Sequence, residues 1–175
     1  MSLKFAFSPH VDARTRLLVL GSLPGDISIA RGEYYAHPGN AFWTLMGDML
    51  EEDLRGRPYA DRLDRLRDRG VGLWDVIASA HRHGSLDSAI RQAEERDLAR
   101  FAKQLPALRA VAFNGQKAAT QGRRQLAGRP DLMLIDLPSS SGAYAALPFA
   151  RKAQAWRMLR AWTYPPAVPA TERQA

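Results

Sequence analysis

The sequence predicts an α/β fold, in which a mainly parallel central sheet lies between helices on both faces as a three-layer α/β/α sandwich. Short aliphatic runs alternate along the chain with longer amphipathic segments, and this alternation is typical of parallel strands connected by helices. The chain has 175 residues, which is enough for one domain with its own core and short for two. It shows neither an internal repeat nor a domain linker, so we expect a single domain.

The first half of the chain predicts two strands and two helices. Residues 16–20 are an aliphatic run that ends at Gly21, as a buried strand entering a loop does. Residues 40–50 carry apolar side chains at helical spacing, and residues 58–69 form an amphipathic helix with ion-pair potential on its outer side. A glycine stop signal introduces the extended segment 70–77.

The second half continues the alternation. After a mostly helical stretch at 87–104, the predicted elements are a strand at 108–113, a helix at 116–126, a strand at 132–137 and a helix at 149–162. The predicted domain spans residues 1–163. The proline-rich stretch 164–175 is expected to be a flexible tail.

Composition excludes several classes of protein. No apolar run approaches the roughly 20 residues that a membrane span needs, and the N-terminus lacks the pattern of a signal peptide. The absence of cysteine excludes disulfides, a thiolate nucleophile and a cysteine-bound iron–sulfur cluster. The histidines and acidic residues have no zinc-like spacing, so we expect neither a metal nor a cofactor. A cytoplasmic protein is the plain expectation.

The net charge of +7 is concentrated in the C-terminal part of the chain. Residues 98–175 hold twelve Lys or Arg against three acidic residues, whereas residues 1–97 hold thirteen basic and fifteen acidic residues. A basic surface suits a polyanion, because phosphate contacts supply affinity that is sensitive to salt and independent of sequence. An arginine-rich proteome would produce the same excess without such a partner, so charge alone leaves nucleic-acid binding open.

Three segments follow predicted strands and should meet at one edge of the sheet, where ligands bind in folds of this class. They begin after Leu20, after Phe113 and after Leu137. Glycines in the first of them allow the backbone to approach a ligand closely. A tight turn followed by packing aromatics would have the same composition, so the glycine loop is by itself a weak signal.

Several segments together resemble a known family. They are Gly-Ser-Leu-Pro-Gly at 21–25, Tyr-Tyr-Ala-His-Pro-Gly-Asn-Ala-Phe-Trp at 34–43, Gly-Leu-Trp-Asp-Val-Ile at 72–77, Arg-His-Gly-Ser-Leu-Asp-Ser-Ala-Ile at 82–90 and Phe-Asn-Gly at 113–115. The first two resemble the motif of the mismatch-specific uracil glycosylases, which runs Gly-x-Asn-Pro-Gly and then His-Pro-x-Asn-Arg-Phe-Trp. The set is more similar to the hypoxanthine-DNA (deoxyinosine) glycosylases of the uracil-DNA glycosylase superfamily.

The resemblance covers about residues 15–162 in the right order. It implies a uracil-DNA glycosylase-like fold and a monofunctional DNA glycosylase that flips out deaminated bases, chiefly hypoxanthine, and excises them in base excision repair. It implies a base pocket lined by Gly21, Ser22 and Leu23. Phe42 stands where the superfamily places the aromatic ring that stacks on the flipped base, although its spacing equally suits a core residue.

Asn114 stands where the superfamily places its base-reading amide, which makes it a predicted base-binding and catalytic residue. A side-chain amide offers a carbonyl acceptor beside N–H donors, and this pair matches O6 and N1–H of hypoxanthine. Uracil presents the same pattern at O4 and N3–H, whereas adenine presents its donor and acceptor in the opposite order. The amide would therefore separate deaminated from normal bases but not purines from pyrimidines. A bare turn or cap role for Asn114 is the alternative.

Asn40 is the second predicted catalytic residue, as a base-recognition or water-positioning amide, and helix N-capping is a compatible alternative. Leu23 departs from the uracil-directed relatives, which carry an Asn or Asp there that positions the hydrolytic water. Leucine can neither accept a proton nor orient water, so the general base is not identified. His37 either donates to the base or phosphate or holds its own loop, and Asp75 and Asp87 are expected to tie loops through backbone amides.

The segment Asp-Leu-Pro-Ser-Ser-Ser-Gly-Ala at 136–143 resembles the Pro-Ser loop with which the superfamily grips DNA near the flipped nucleotide. Serine hydroxyls and loop amides suit phosphate oxygens. The expected DNA-binding residues are Ser139, Ser140, Ser141, Tyr144 as the wedge, and Lys152. The alternative for the loop is an ordinary turn, and the alternative for Lys152 is a solvated helix face.

Duplex DNA that carries deaminated bases is the expected partner, and single-stranded DNA is a further option. We expect the protein to be a monomer that is associated with the nucleoid when it acts on DNA. A uracil or mismatch-uracil glycosylase is the alternative within the enzymes. A non-enzymatic binder of damaged DNA is less favoured, because it would need no base pocket. A small-molecule nucleoside hydrolase is disfavoured by the basic C-terminal part.

Overall fold

Two sheets form the framework of the fold in the computed structural model, which describes residues 2–144 and 146–166. The strands in this part of the chain are β1 (Ser2–Phe5), β2 (Leu17–Gly21), β3 (Val71–Asp75), β4 (Ile77–Arg82), β5 (Arg91–Glu95), β6 (Ala110–Asn114) and β7 (Met133–Leu137). The helices are α1 (Asp26–Arg31), α2 (Phe42–Leu50), α3 (Tyr59–Asp68), α4 (Leu98–Lys103), α5 (Gln116–Leu126) and α6 (Phe149–Arg157), with 3-10 turns at Asp87–Ala89 and Met158–Trp162.

The larger sheet has four parallel strands in the order β3-β2-β6-β7. Its register places Leu20 between Trp74 and Phe113, and Gly21 opposite Asp75. Because all four strands run in one direction, their carboxyl ends lie along one edge of the sheet. The α/β fold class predicted from the sequence is confirmed.

Side chains of β2 alternate between the two faces of the parallel sheet. Leu17 and Val19 belong to a buried cluster with α2, α3 and α6, whereas Leu18 and Leu20 belong to a second cluster with α4 and α5. Complete burial of one such side chain contributes about 1.5 to 3 kcal/mol. Helices therefore cover both faces of the sheet, which gives the three layers.

The smaller sheet is antiparallel, in the order β1-β4-β5, and was not expected from the sequence. Its strand β5 lies inside the stretch 87–104 that was predicted to be mostly helical, and that prediction is wrong before Leu98. The side chain of Asp97 accepts a hydrogen bond from the backbone N–H of Arg100 and so caps α4. Every side chain of β5 is exposed, so no burial periodicity marks it as a strand.

The C-terminal helix α6 is shorter than predicted and continues as a 3-10 turn to Trp162. Beyond it, the backbone N–H of Tyr164 donates to the Arg69 carbonyl, and the Tyr164 ring lies under the guanidinium of Arg14. The predicted tail thus begins at a residue that contacts the domain, and its part at 167–175 lies outside the described residues. No helix within 2–144 and 146–166 is long and apolar enough to cross a membrane.

Candidate active site

A cavity of about 530 Å³ opens at the carboxyl edge of the parallel sheet. Its wall is formed by the loops that follow β2 and β7, by the ends of β3 and β6 and by the segments 34–40 and 85–87. The structure therefore brings together the three segments that were expected to meet there. No three His, Cys, Asp or Glu side chains in the described ranges are arranged to hold a metal ion.

Gly21, the last residue of β2, lies at the floor of this cavity. A Cβ on Gly21 would stand 2.7 Å from Oδ1 of Asp75 and 2.9 Å from the hydroxyl oxygen of Tyr35. Both distances are too short for carbon–oxygen contacts without displacement of one of the groups. Glycine is required here because the side chains of Asp75 and Tyr35 converge above the strand.

The loop after β2 is fixed by two side chains from the neighbouring segment 82–87. The Ser22 hydroxyl donates to Oδ1 of Asp87 at 2.5 Å, so Asp87 ties the loop through a side chain rather than a backbone amide. The fully buried guanidinium of Arg82 donates to the carbonyls of Leu23, at 3.2 Å, and Pro24. The Leu23 side chain lines the cavity and also packs into one of the two apolar clusters.

Asn114 ends β6 and presents its side-chain amide to the cavity wall, where both polar atoms bond Ser140. Oδ1 accepts from the backbone N–H of Ser140 and Nδ2 donates to its hydroxyl, each at 2.8 Å. An amide has two acceptor positions and two N–H donors. Asn114 thus anchors the loop after β7 with one edge of its amide. One further acceptor position on Oδ1 and one further N–H donor on Nδ2 remain, and these point to opposite sides of the amide.

Asn40 lines the cavity from the segment before α2. Its Oδ1 accepts from the backbone N–H of Phe42 at 2.9 Å, which satisfies one of the free donors at the start of that helix. Its side-chain NH₂ group remains available for a ligand or water. The exposed His37 holds its own loop, because its Nδ1 accepts from the backbone N–H of Gly39 at 2.9 Å.

Tyr35 lines the cavity, whereas Phe42 lies beneath it. The Phe42 side chain is 0% exposed, and the Tyr35 ring stacks on it with centroids 3.7 Å apart and planes 13° apart. This arrangement corrects the direct contact expected between Phe42 and a flipped base, because Tyr35 covers that face of Phe42. The Tyr35 backbone has φ 56°, a left-handed conformation that non-glycine residues seldom adopt and that often marks functional sites.

Asp75 is the most deeply buried carboxylate of the cavity wall, with 3% of the residue exposed. Within residues 2–144 and 146–166, its Oδ2 has no hydrogen-bond partner, and neither has the Tyr35 hydroxyl. Burial is the main cause that raises the pKa of Asp75 to about 7, and the nearby Asp87 also raises it. Arg96 and Arg82 act in the opposite direction. Asp75 therefore carries a proton over part of the neutral range.

The loop 139–144 closes the other side of the cavity. Gly142 approaches the segment 34–40 so closely that a Cβ would stand 2.6 Å from the carbonyl oxygen of Gly39. Ser139 and Ser141 are partly exposed and Tyr144 is 46% exposed, so these three can reach a large ligand.

Two residues of this region have structural contacts in place of the expected exposure to DNA. Ser140 is buried, and its carbonyl accepts from the backbone N–H of Ala41 at 2.9 Å. Lys152 is also buried, and its Nζ donates to the carbonyls of Tyr144, at 2.7 Å, and Ser141, at 3.4 Å. The structure corrects the direct DNA contact expected of both, because their polar groups are used to hold the loop. Burial lowers the pKa of Lys152.

Comparison with protein families gives a match over residues 8–160 to the model described as the uracil DNA glycosylase superfamily. This match covers most of the 175 residues. The chain belongs to the uracil DNA glycosylase superfamily.

Two curated relatives of this superfamily member are named hypoxanthine DNA glycosylase. The Methanosarcina acetivorans protein is 40% identical over 141 residues, which are 81% of this chain and 88% of the relative. The Methanosarcina barkeri protein is 43% identical over 115 residues, which are 66% of this chain and 73% of the relative. A solution NMR structure of a candidate uracil DNA glycosylase from M. acetivorans superposes with TM-score 0.82 and 37% identity, covering 92% of this chain and 99% of that one.

Two cavity residues of this superfamily member were missed from the sequence as ligand-facing groups. Asp75 ends a predicted strand, so the rule that places ligands at carboxyl edges applied to it as it did to Asn114. Tyr35 lies inside the segment 34–43 that carries the resemblance. Its stacking on Phe42 depends on its left-handed backbone conformation, and no spacing rule indicates that.

Proposed function

We propose that the protein is a monofunctional DNA glycosylase that removes hypoxanthine from deoxyinosine in DNA, as the first step of base excision repair. The observation that carries this proposal is the pairing of a buried amide, Asn114, with an aromatic face, Tyr35, in one cavity at the carboxyl edge of the sheet. The substrate follows from the two hypoxanthine DNA glycosylases at 40% and 43% identity.

Asn114 reads the edge of the flipped base. Its remaining N–H donor bonds O6 of hypoxanthine, while Ser140 holds the other edge of the amide in place. Adenine would present an amino donor to this N–H donor, leaving both groups unpaired. Such mismatched buried polar groups cost about 1 to 3 kcal/mol each, which favours the deaminated base.

Tyr35 supplies the surface on which the base stacks. One face of its ring is supported by Phe42, and the residue lines the cavity. Stacking of a base on an aromatic side chain contributes about 1 to 3 kcal/mol. The role that the family resemblance gives to Phe42 thus passes to the ring above it, with Phe42 as its support.

Asn40 positions the hydrolytic water, since its amide borders the cavity and keeps its NH₂ group free. Leu23 contributes an apolar wall and takes no part in proton transfer. Glycosidic cleavage passes through an oxocarbenium-like state, so stabilisation of charge and of the leaving base carries much of the rate.

Duplex DNA reaches the cavity across the loop 139–144. Ser139 and Ser141 contact phosphate through hydroxyls and backbone amides, and the exposed Tyr144 fills the space that the flipped nucleotide leaves. We propose that the protein acts as a monomer on chromosomal DNA. Single-stranded DNA is a secondary substrate, since its bases need no unpairing.

The test is an excision assay with the purified protein on duplexes that carry one deoxyinosine, deoxyxanthosine or deoxyuridine, followed by alkaline cleavage of abasic sites. We expect strand cleavage at deoxyinosine after alkali. An undamaged duplex, and a deoxyinosine duplex that receives no alkali, should both stay intact. Strand cleavage without alkali would mean a lyase activity, and binding without release of any base would mean a damaged-DNA binder.

Uracil excision is the second candidate, because the M. acetivorans structure is described as a candidate uracil DNA glycosylase. O4 of uracil would also accept a hydrogen bond from the Asn114 amide. Release of uracil faster than hypoxanthine in the same assay would favour this candidate.

A further inference from the structure

Asp75 and Asn114 flank Gly21 at the carboxyl edge of the sheet. Asp75 is the register partner of Gly21 on β3, and Asn114 follows Phe113, the register partner of Leu20 on β6. Adjacent strands lie about 4.8 Å apart, so the backbones of Asp75 and Asn114 are about 10 Å apart with a glycine between them. Both residues line the same cavity.

The carboxyl group of Asp75 has an unused oxygen in this position. Oδ1 lies above Gly21, and Oδ2 has no hydrogen-bond partner among the residues that the structure describes. A buried polar atom without a partner costs about 1 to 3 kcal/mol, so folding alone does not account for an acid here. A ligand that accepts a hydrogen bond from the protonated carboxyl would supply the partner.

Three charged side chains and two tyrosines surround Asp75. Asp87 raises the pKa of Asp75, whereas Arg82 of β4 and Arg96 before α4 lower it, and burial outweighs both. Tyr34 and Tyr35 face it as neutral phenols, since burial raises the pKa of both hydroxyls. Both arginines also bond backbone carbonyls, Arg82 at Leu23 and Pro24 and Arg96 at Phe7. The carboxyl can therefore hold a proton near neutral pH.

The edge of hypoxanthine matches this order of groups. N1–H, O6 and N7 follow one another along its rim, and both O6 and N7 are acceptors, as they are in guanine. With O6 at the remaining N–H donor of Asn114, the neighbouring acceptor on the rim, N7, can reach Asp75. In uracil, the ring positions beside the C4 carbonyl are N3–H and a carbon, C5, and neither accepts a hydrogen bond.

We propose that Asp75 is a catalytic acid that protonates N7 of the departing hypoxanthine and thereby makes the site selective for purines over pyrimidines. This inference rests on the proposed function. A carboxylic acid in an apolar site can stay protonated at neutral pH and donate a hydrogen bond. A general acid whose pKa lies near the operating pH contributes about 10² to 10⁴-fold in rate.

The step balances without any further reactant. The bond between C1′ and N9 breaks, its electron pair stays with the purine, and the Asp75 proton moves to N7, so that hypoxanthine leaves as a neutral base. Water adds through its oxygen to C1′ of the sugar cation. The proton that this water loses returns to the Asp75 carboxylate, directly or through solvent.

The first experiment compares single-turnover hypoxanthine release by the unmodified protein and by Asp75→Asn between pH 6 and pH 8. The unmodified protein should slow as pH rises through about 7, because the carboxyl must be protonated. Asp75→Asn should be slower by about a hundredfold or more at pH 6 and lack this pH dependence. In Asp87→Asn the midpoint should move to lower pH, since the Asp87 charge raises the pKa of Asp75.

The second experiment replaces N7 of the substrate with carbon, in a duplex carrying 7-deaza-2′-deoxyinosine. The unmodified protein should bind this duplex as it binds deoxyinosine and release its base at least tenfold more slowly. Asp75→Asn should lose no further rate on the 7-deaza substrate. Because removal of N7 also makes the base a poorer leaving group, the deciding result for the unmodified protein is that its release of 7-deazahypoxanthine no longer depends on pH between pH 6 and pH 8. This result needs no variant, so it decides the matter even if Asp75→Asn fails to fold.

Equal slowing of the deoxyinosine and 7-deaza substrates by Asp75→Asn would overturn the proposal and indicate a structural role. An unchanged rate and pH dependence in this variant would overturn it too. Full-rate release of 7-deazahypoxanthine would also overturn it. These outcomes differ from failure of the proposed function, in which the unmodified protein releases no hypoxanthine at any pH.

Discussion

The double hydrogen bond between Asn114 and Ser140 means that a substitution at either residue affects both base reading and the loop after β7. For Asn114→Ala we expect hypoxanthine release to fall by about 5- to 150-fold, which corresponds to the 1 to 3 kcal/mol that an unpaired buried polar group costs. Affinity for undamaged duplex should change little, because phosphate contacts supply it. Single-turnover rates and fluorescence anisotropy measure the two quantities.

Ser140→Ala is the matched control for Asn114→Ala. It removes one of the two bonds and leaves the amide in the cavity, so its loss of rate should be smaller. A wild-type rate in Asn114→Ala, or a larger loss in Ser140→Ala, would contradict base reading by Asn114.

The stacked pair of Tyr35 and Phe42 separates a ligand-facing ring from a core ring. Tyr35→Leu should lower hypoxanthine release by about 5- to 150-fold, since base–aromatic stacking contributes about 1 to 3 kcal/mol, and should leave the Tm nearly unchanged. Tyr35→Phe keeps the ring and should retain most of the activity. Phe42→Leu should mainly lower the Tm, as changes in a packed core do.

Excision rates and thermal denaturation of these three variants test the assignment together. The assignment fails if Tyr35→Leu retains full activity while Phe42→Leu, still folded at the assay temperature, loses it. That pattern would mean that Tyr35 moves away and the base stacks on Phe42.

The loop 139–144 depends on the ammonium group of Lys152, which bonds two of its carbonyls from beneath. Lys152→Met keeps the apolar stem and removes both bonds. We expect affinity for an inosine duplex to fall about tenfold or more, since lost hydrogen bonds to charged groups are worth about 1.5 to 3 kcal/mol. The release rate at saturating protein should stay nearly constant, because the groups that contact the base are unchanged.

Lys103→Met is the control for charge, because Lys103 is an exposed residue at the end of α4. Anisotropy titrations compare the two variants at one salt concentration. Equal affinities for Lys152→Met and Lys103→Met would show that the loop does not depend on Lys152.

The elements predicted from the sequence are those whose apolar side chains are buried. Strands β2 and β6 are aliphatic and buried on both faces, and the run of apolar residues located them to within about two residues. Strand β5, with every side chain exposed, was assigned to a helix. Its conformation is set by pairing with β4, and local sequence carries little information about such a partner.

The same distinction applies to the site. Asn40 and Asn114 were identified from motif positions and border the cavity. Tyr35 and Asp75 acquire their positions from a left-handed backbone residue and from a register partner, respectively. The strand-end rule applied to Asp75, although only a structural role was expected of it, whereas no sequence pattern indicates the left-handed conformation of Tyr35.

Fewer basic side chains are available to a polyanion than the sequence suggests, because several of them form ion pairs. The arginines of the C-terminal part that pair with carboxylates are Arg123, Arg124, Arg129, Arg157 and Arg160. Exposed pairs of this kind contribute about 0 to 1 kcal/mol to stability, but they lower the net charge that faces a polyanion. The salt dependence of DNA binding should therefore be shallower than the raw count of basic residues implies.

Arg151 at the start of α6 is exposed and follows the loop 139–144 closely in the chain. In Arg151→Gln, binding to duplex should weaken equally for all sequences, and the slope of log affinity against log salt should fall by about one. Arg129→Gln is the control, because Arg129 pairs with Asp131 before β7, at the end of the sheet opposite the cavity. Equal slopes for the two variants would show that DNA does not approach across α6.

The most direct measurement of the proposed function is a competition within one duplex that carries a deoxyinosine and a deoxyuridine at separate positions. Free bases released by the unmodified protein are identified and timed by mass spectrometry, so both lesions meet the same protein at the same concentration. We expect hypoxanthine to appear first and the strand to stay intact until alkali is added. Release of uracil alone, or of neither base despite binding, would contradict a hypoxanthine glycosylase.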